Sequence, residues 1–259
     1  MPVVPPLATP SSTADAFVGT SGWAYPSWKP KFYPAALRGK DFLTFYSSQL
    51  TSVEVNYTFR KLATEKQLQA WLDATPPGFR FTFKAPQRIT HFQRLLDCEE
   101  AVAEFVQSLA PVRKCGRLGA LLFQLPPNFK ADPERLSAFL KLRSLRGKAA
   151  PKLAFEFRHT SWFTDETYAV LRRYDAALCV ADSDDLVTPD VQTAAHRYYR
   201  LRSPGGYSAR TLRAFAERMA PAIPNSDTYI YLKHEDEPTG PLQARALLRR
   251  LNELQGGRA

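Results

Sequence analysis

The stretch Lys152–Phe163, KLAFEFRHTSWF, opens as an apolar run and closes on Glu156, Arg158 and His159, with Trp162 just beyond. Other apolar runs of the chain end alike. FVGTSG carries Thr20 and is followed by Trp23; SVEV delivers Glu54 and then Asn56; FRFTFK ends in Lys84, with His91 in the next loop. LGALLFQ ends in Gln124, ahead of Asn128; AALCVA leads to Asp182, RYYR to Arg200, and TYIYL to Lys233 and His234. Charged groups at the mouth of a buried strand are costly unless they face a cavity, pair with one another or bind something. If these strand ends share one rim, three carboxylates (Glu54, Glu156, Asp182) and four cations (Lys84, Arg158, Arg200, Lys233) meet there.

Three chemistries suit such a set. In the first, the four cations hold a phosphate or carboxylate, Glu156 or Asp182 moves a proton, and Glu54 assists. Arginine pairs oxyanions bidentately, and a carboxylate among cations stays ionised, which suits a base better than an acid. In the second, Glu54, Glu156 and Asp182 join His91, His159 or His234 around a divalent metal. No HxH or HExxH spacing supports that set, and the nearby cations oppose it, so no metal or cofactor is favoured. In the third, a non-catalytic surface binds nucleic acid through basic charge, with Trp23, Tyr25, Trp28 and Trp162 as stacking faces. Taken singly, each residue has a plainer reading as an ion pair or as packing. Nucleophilic catalysis has little support, because GxSxG is absent and Cys179 lies within a strand.

The elements that would position these residues follow from periodicity. Eight strand signals run through Phe17–Gly22, Ser52–Val55, Phe79–Ala85, Leu118–Leu125, Lys152–Glu156, Ala176–Ala181, His196–Arg202 and Asp227–Leu232. Helical patterns separate most of them. The exception is Asp184–Ala195, which contains Pro189 and little helical pattern, so the helix after the sixth strand is expected to be missing or reduced. Alternating strands and helices over this length predict an α/β fold, a single-domain (β/α)8 TIM-type barrel spanning 17–255, with its active face at the strand carboxyl ends. The first connection lacks a Gly-rich dinucleotide fingerprint.

Residues 1–16, rich in Pro, Ser and Thr, are expected to be a disordered leader and not a signal peptide. Cys98, Cys115 and Cys179 are scattered and fit reduced thiols. No apolar run is long enough to span a bilayer, so a cytoplasmic protein without a membrane partner is expected. No obligate protein partner is evident. The formal charge of +10 points to an anionic small molecule or nucleic acid as partner.

GTSGWAYPSW, VEVNYTF, FKAPQRITH, LGALLFQLPPNF, AFEFRHTSWF and LCVADS, in that order, resemble the YecE-like family, also called domain of unknown function 72. The resemblance implies a TIM-type barrel and no established reaction. Family positions that carry over include Ser21, Gly22, Thr58, Phe59, Thr90 and Pro126 beside the strand-end residues above. Many members end the eighth strand in an Asn-Asn pair, where this chain has Lys233-His234 and a more basic mouth. The expectation is an enzyme (a hydrolase, lyase or isomerase) acting on a phosphate-bearing substrate; the alternatives are a nucleic-acid-binding or nucleic-acid-processing barrel, with or without a metal, and a non-catalytic scaffold. Glu156 would be the enzyme's base or acid, Lys84, Arg158 and Arg200 its anion grip, and Trp23 and Trp162 its walls.

Overall fold

The structure is a computed structural model and describes residues 15–147, 149–183, 186–233 and 237–256. Its strands are β1 (Ala16–Thr20), β2 (Ser52–Val55), β3 (Arg80–Lys84), β4 (Leu118–Gln124), β5 (Lys152–Glu156), β6 (Ala176–Ser183), the two-residue β7 (Leu186–Val187), β8 (Arg197–Leu201) and β9 (Thr228–Leu232). All except β7 run parallel in the order β1-β9-β8-β6-β5-β4-β3-β2, a nearly closed eight-stranded barrel. The helices α1 (Phe42–Gln49), α2 (Glu65–Asp73), α3 (Glu99–Ser108), α4 (Ala110–Lys114), α5 (Pro133–Leu140), α6 (Asp165–Arg173), α7 (Ala209–Met219) and α8 (Thr239–Gly256) fill the connections. Among the described residues no helix follows β6. The chain instead turns back as β7, antiparallel to β6.

Local chemistry sets the helix starts. Thr64 and Gln67 form a reciprocal capping box on α2. Asp132, with Pro133 in the first turn, caps α5; Thr164 caps α6; Ser208 caps α7. The expected leader ends earlier than 16: Ala16 pairs with Thr228, and Asp15 O accepts from Thr228 N, because this backbone completes the β9 ladder. The remainder of the leader, 1–14, lies outside the described residues.

Strand alternation divides the apolar residues into two layers. Phe81, Phe83, Phe123, Phe155, Leu178 and Leu201 face the helices in one buried cluster. Ala120, Leu122, Ala154, Cys179, Tyr198, Tyr229 and Tyr231 fill the barrel interior. Two interior tyrosines have their hydroxyls satisfied: Tyr231 Oη lies 2.6 Å from Ser52 Oγ and 2.8 Å from Thr82 Oγ1, and Tyr198 Oη donates to Glu54 Oε2 at 2.7 Å. The barrel interior is therefore a packed core and not an open channel.

Closure between β1 and β2 is made without a regular ladder. Ser21 and Glu54 form an isolated bridge, and Thr51 N donates to Val18 O at 3.2 Å. Between them the Tyr46 hydroxyl, carried by α1, accepts from Thr20 N at 2.7 Å and donates to Ser52 O at 3.1 Å. A side chain replaces the missing backbone rung. The strands approach so closely here that a Cβ on Gly19 would overlap Ser52 O, which explains the glycine.

Candidate functional site

The register of the parallel ladder decides which strand-end side chains meet. Gln124 is paired with Glu156, and Ala181 with Arg200, so these positions share the interior phase. Glu54 pairs with Thr82, one alternation below Lys84. The small Ala181 leaves space for the long Arg200 side chain, which is wholly buried.

Arg200 is the centre of the cluster. Its Nη2 donates to Glu54 Oε1 at 2.7 Å and its Nη1 to Glu156 Oε2. Glu54 also accepts from Ser21 Oγ at 2.9 Å, Asn56 Nδ2 at 3.3 Å and Tyr198 Oη at 2.7 Å. Glu156 Oε1 accepts from Gln124 Nε2 at 2.7 Å and Arg158 Nε at 3.0 Å. Gln124 then presents its oxygen to Lys84 Nζ at 2.7 Å. The Lys84 ammonium also sits 4.0 Å from the centre of the Phe59 ring. Arg202, two residues beyond Arg200 on the same phase, donates from Nη1 to Ser21 Oγ at 3.0 Å.

Proton affinities follow from this pairing. Burial alone would raise both glutamates, but the guanidiniums outweigh it. Arg200, Arg158 and Arg202 hold Glu156 down at about 2, and Arg200, Arg202 and the Tyr198 hydroxyl keep Glu54 below its ordinary value. The two carboxylates in turn push Arg200 up against its own burial. Lys84 moves down to about 8, first through burial and then through the Arg200 charge, and Arg202 moves to about 10 for the same two reasons. His91 is also lowered, by burial and then by Lys84, Arg158 and Arg94. Among the described residues, four cations, Lys84, Arg158, Arg200 and Arg202, surround two carboxylates, Glu54 and Glu156, an excess of two positive charges in this cluster.

Several expected residues stand elsewhere. Asp182 is paired with Leu201 and shares its outward phase, toward Tyr207. Thr20 is likewise outward, paired with Leu232 and bonded to Tyr46. Trp162 is fully buried, stacked 4.5 Å from Phe157 and bonded to Phe129 O, so it belongs to the core and walls no pocket. Trp23 packs edge-on against Trp71 of α2. His159 turns back to Ser161, capping a short turn. Asn128 is exposed in the loop after β4, and Lys233 is half-buried at the end of β9 with its N–H on Leu201 O. His91 bonds Thr90 and meets Phe59 edge-on near the mouth. His234 lies outside the described residues. Ser21, Tyr198 and Arg202 join the cluster without having been singled out as site residues. The period-two spacing of Tyr198, Arg200 and Arg202 was the available signal.

Among the described residues no three His, Cys, Asp or Glu side chains gather as a metal-ligand set. Arg200 stands between Glu54 and Glu156, two of the three carboxylates of the metal alternative. Two clefts lie away from the cluster. One of about 640 Å³ lies between the β3–α3 loop and α5, and one of about 530 Å³ at the amino ends of β4 and β5 beside Arg113, Lys114 and Lys152. No helix among the described residues is long and apolar enough to cross a membrane.

The chain is similar to known proteins over most of this architecture. A DUF72 family protein of Thermotoga maritima aligns with a TM-score of 0.79 and 27% identity, covering 92% of this chain and 99% of that one. One from Enterococcus faecalis aligns at 0.68 with 15% identity, covering 93% and 98%, which shows the fold alone. The UPF0759 protein YunF of Bacillus subtilis is 31% identical over 156 residues, 59% of this chain and 54% of that protein. The UPF0759 protein YecE of Escherichia coli K12 is 30% identical over 148 residues, 57% of this chain and 50% of that protein. These alignments span about half the length of the two curated relatives. The family described as "Protein of unknown function DUF72" matches residues 17–258, and with the barrel and its ordered strand-end residues this makes the chain a member of the DUF72 family.

Proposed function

We propose that the barrel mouth binds an anionic, phosphate-bearing small molecule and that the chain is an enzyme acting on it. The observation that carries this reading is the excess, among the described residues, of two positive charges around Arg200 at the strand carboxyl ends. An anion entering the rim neutralises that excess. Arg158 is suited to the contact: its side chain is 44% exposed, and among the described residues its hydrogen bond uses Nε alone. Glu156 and Glu54 then act as counter-ions that fix the Arg200 fork, since their oxygens are already engaged. Glu156, depressed to about 2, is a weak base in this arrangement.

A thermal-shift screen of the purified chain with phosphorylated metabolites tests the reading. A small phosphate ester is expected to raise Tm in the wild type and to lose that effect in Arg158→Ala. Absence of any anion-dependent shift at low salt sinks it. A second reading, binding of nucleic acid, draws support from Tyr57 and Phe92, exposed aromatics in the loops after β2 and β3 near Arg88 and Arg94. It requires stabilisation by oligonucleotides alone, falling steeply with salt.

A further inference from the structure

Lys84 differs from an ordinary anion-binding lysine in its neighbours. Among the described residues its Nζ has no carboxylate within ion-pair distance; its partners are the Gln124 amide oxygen and the Phe59 face, both neutral. Gln124 cannot turn its NH2 toward the lysine without breaking its bond to Glu156, so the oxygen is fixed in place. The Lys84 backbone is pinned as well, because its carbonyl accepts from Thr58 Oγ1 at 2.7 Å. The charged groups that act on it are Arg200 and Glu54 from β8 and β2, with Glu156 and Arg158 from β5 and the segment after it. A desolvated amine beside cations is the arrangement that turns a lysine into a nucleophile.

We propose that Lys84 is a carbonyl-condensing amine, forming an imine with an aldehyde or ketone bound at the barrel mouth. The inference rests on the anion-site reading, which makes that carbonyl compound a phosphate- or carboxylate-bearing one held beside Arg158. The neutral Nζ adds to the carbonyl carbon, and the carbonyl oxygen takes up a proton to give a carbinolamine. The C–O bond then breaks, water leaves with the two protons lost from nitrogen, and a C=N bond remains. The step consumes no oxidant or reductant. With its pKa at about 8, Lys84 exposes roughly a tenth of its amine unprotonated at pH 7, far more than an exposed lysine does.

The test is reductive trapping on the full chain. Pyridoxal 5′-phosphate, or pyridoxal lacking the phosphate, is added with borohydride quenching, and each modified lysine is located by peptide mass spectrometry. Lys84 is expected to react about tenfold faster than any other lysine at pH 7 to 8, and inorganic phosphate should slow the phosphorylated probe. Lys84→Arg, which keeps the charge, should abolish the dominant adduct. If Lys84 reacts no faster than surface lysines with either probe, the inference is overturned, even where phosphate still raises Tm and the anion reading stands. If both probes label Lys84 selectively at equal rates and phosphate does not compete, the amine chemistry is supported and the anion reading falls.

Discussion

Arg200 carries two buried glutamates on one guanidinium fork, and its removal exposes each to the other's charge. Arg200→Met should destabilise the protein by about 3–5 kcal/mol in urea denaturation, because an uncompensated buried charge costs more than the pair contributes. Lysine at the same position cannot reach both carboxylates with a planar fork and should recover little. Glu156 adds a pH signature. Its folded pKa of about 2 lies below the ordinary 4.5 of a glutamate, so its contribution is complete above 4.5 and is lost as pH falls toward 2. Acid titration of unfolding should show a shallower slope in that window for Glu156→Gln. Lys84 runs the other way along the pH axis. Depressed from 10.5 to about 8, its ammonium penalises the fold at neutral pH, and stability is gained as pH rises from 8 to 10.5. Lys84→Met should reduce that alkaline gain in thermal melts. At this scale the types of the site residues were legible in the sequence, but their facing was less so. Thr20 and Asp182 were each one position out of phase with the interior, and Ser21 was the residue that met Glu54. A one-residue offset reverses a strand side chain, and a strand end read from composition carries that uncertainty.

The strands and most helices were readable because each signal is local. Alternating Phe81 and Phe83 mark β3, the continuous apolar run marks β4, and Thr64, Asp132, Thr164 and Ser208 mark helix starts. Thr164→Ala should cost about 1 kcal/mol through loss of the bond to Thr167 N, measurable as a lowered denaturation midpoint with an unchanged m-value. The break after β6 was likewise visible in Pro189, although the β7 hairpin there was not. Aromatics were harder to place, because a tryptophan after a strand looks alike whether it lines a mouth or packs beneath a helix. Trp162 does the latter, with its Nε1 satisfied by a backbone carbonyl 33 residues away. That contact is long-range and has no local sequence signal.

At the scale of the whole molecule, the barrel was legible from element rhythm and the closing of its circumference was not. Tyr46 lies on α1, 26 residues from Thr20 in the chain, and its hydroxyl joins β1 to β2 where backbone pairing lapses. Tyr46→Phe keeps the ring and removes the hydroxyl's contacts with Thr20 N, Thr20 Oγ1 and Ser52 O, and it should lower stability by about 1–3 kcal/mol. The larger consequence concerns time. A cylinder sealed by regular ladders elsewhere, and here only by an isolated bridge, the Thr51–Val18 bonds and the Tyr46 phenol, has a preferred line of opening, so its breathing motions should begin between β1 and β2. Amide exchange at Thr20 should then proceed through local opening, ahead of the amides of β4 and β5, and Tyr46→Phe should accelerate it selectively. In refolding, the same amide should gain protection last, once α1 has docked and the two ends of the sheet have met.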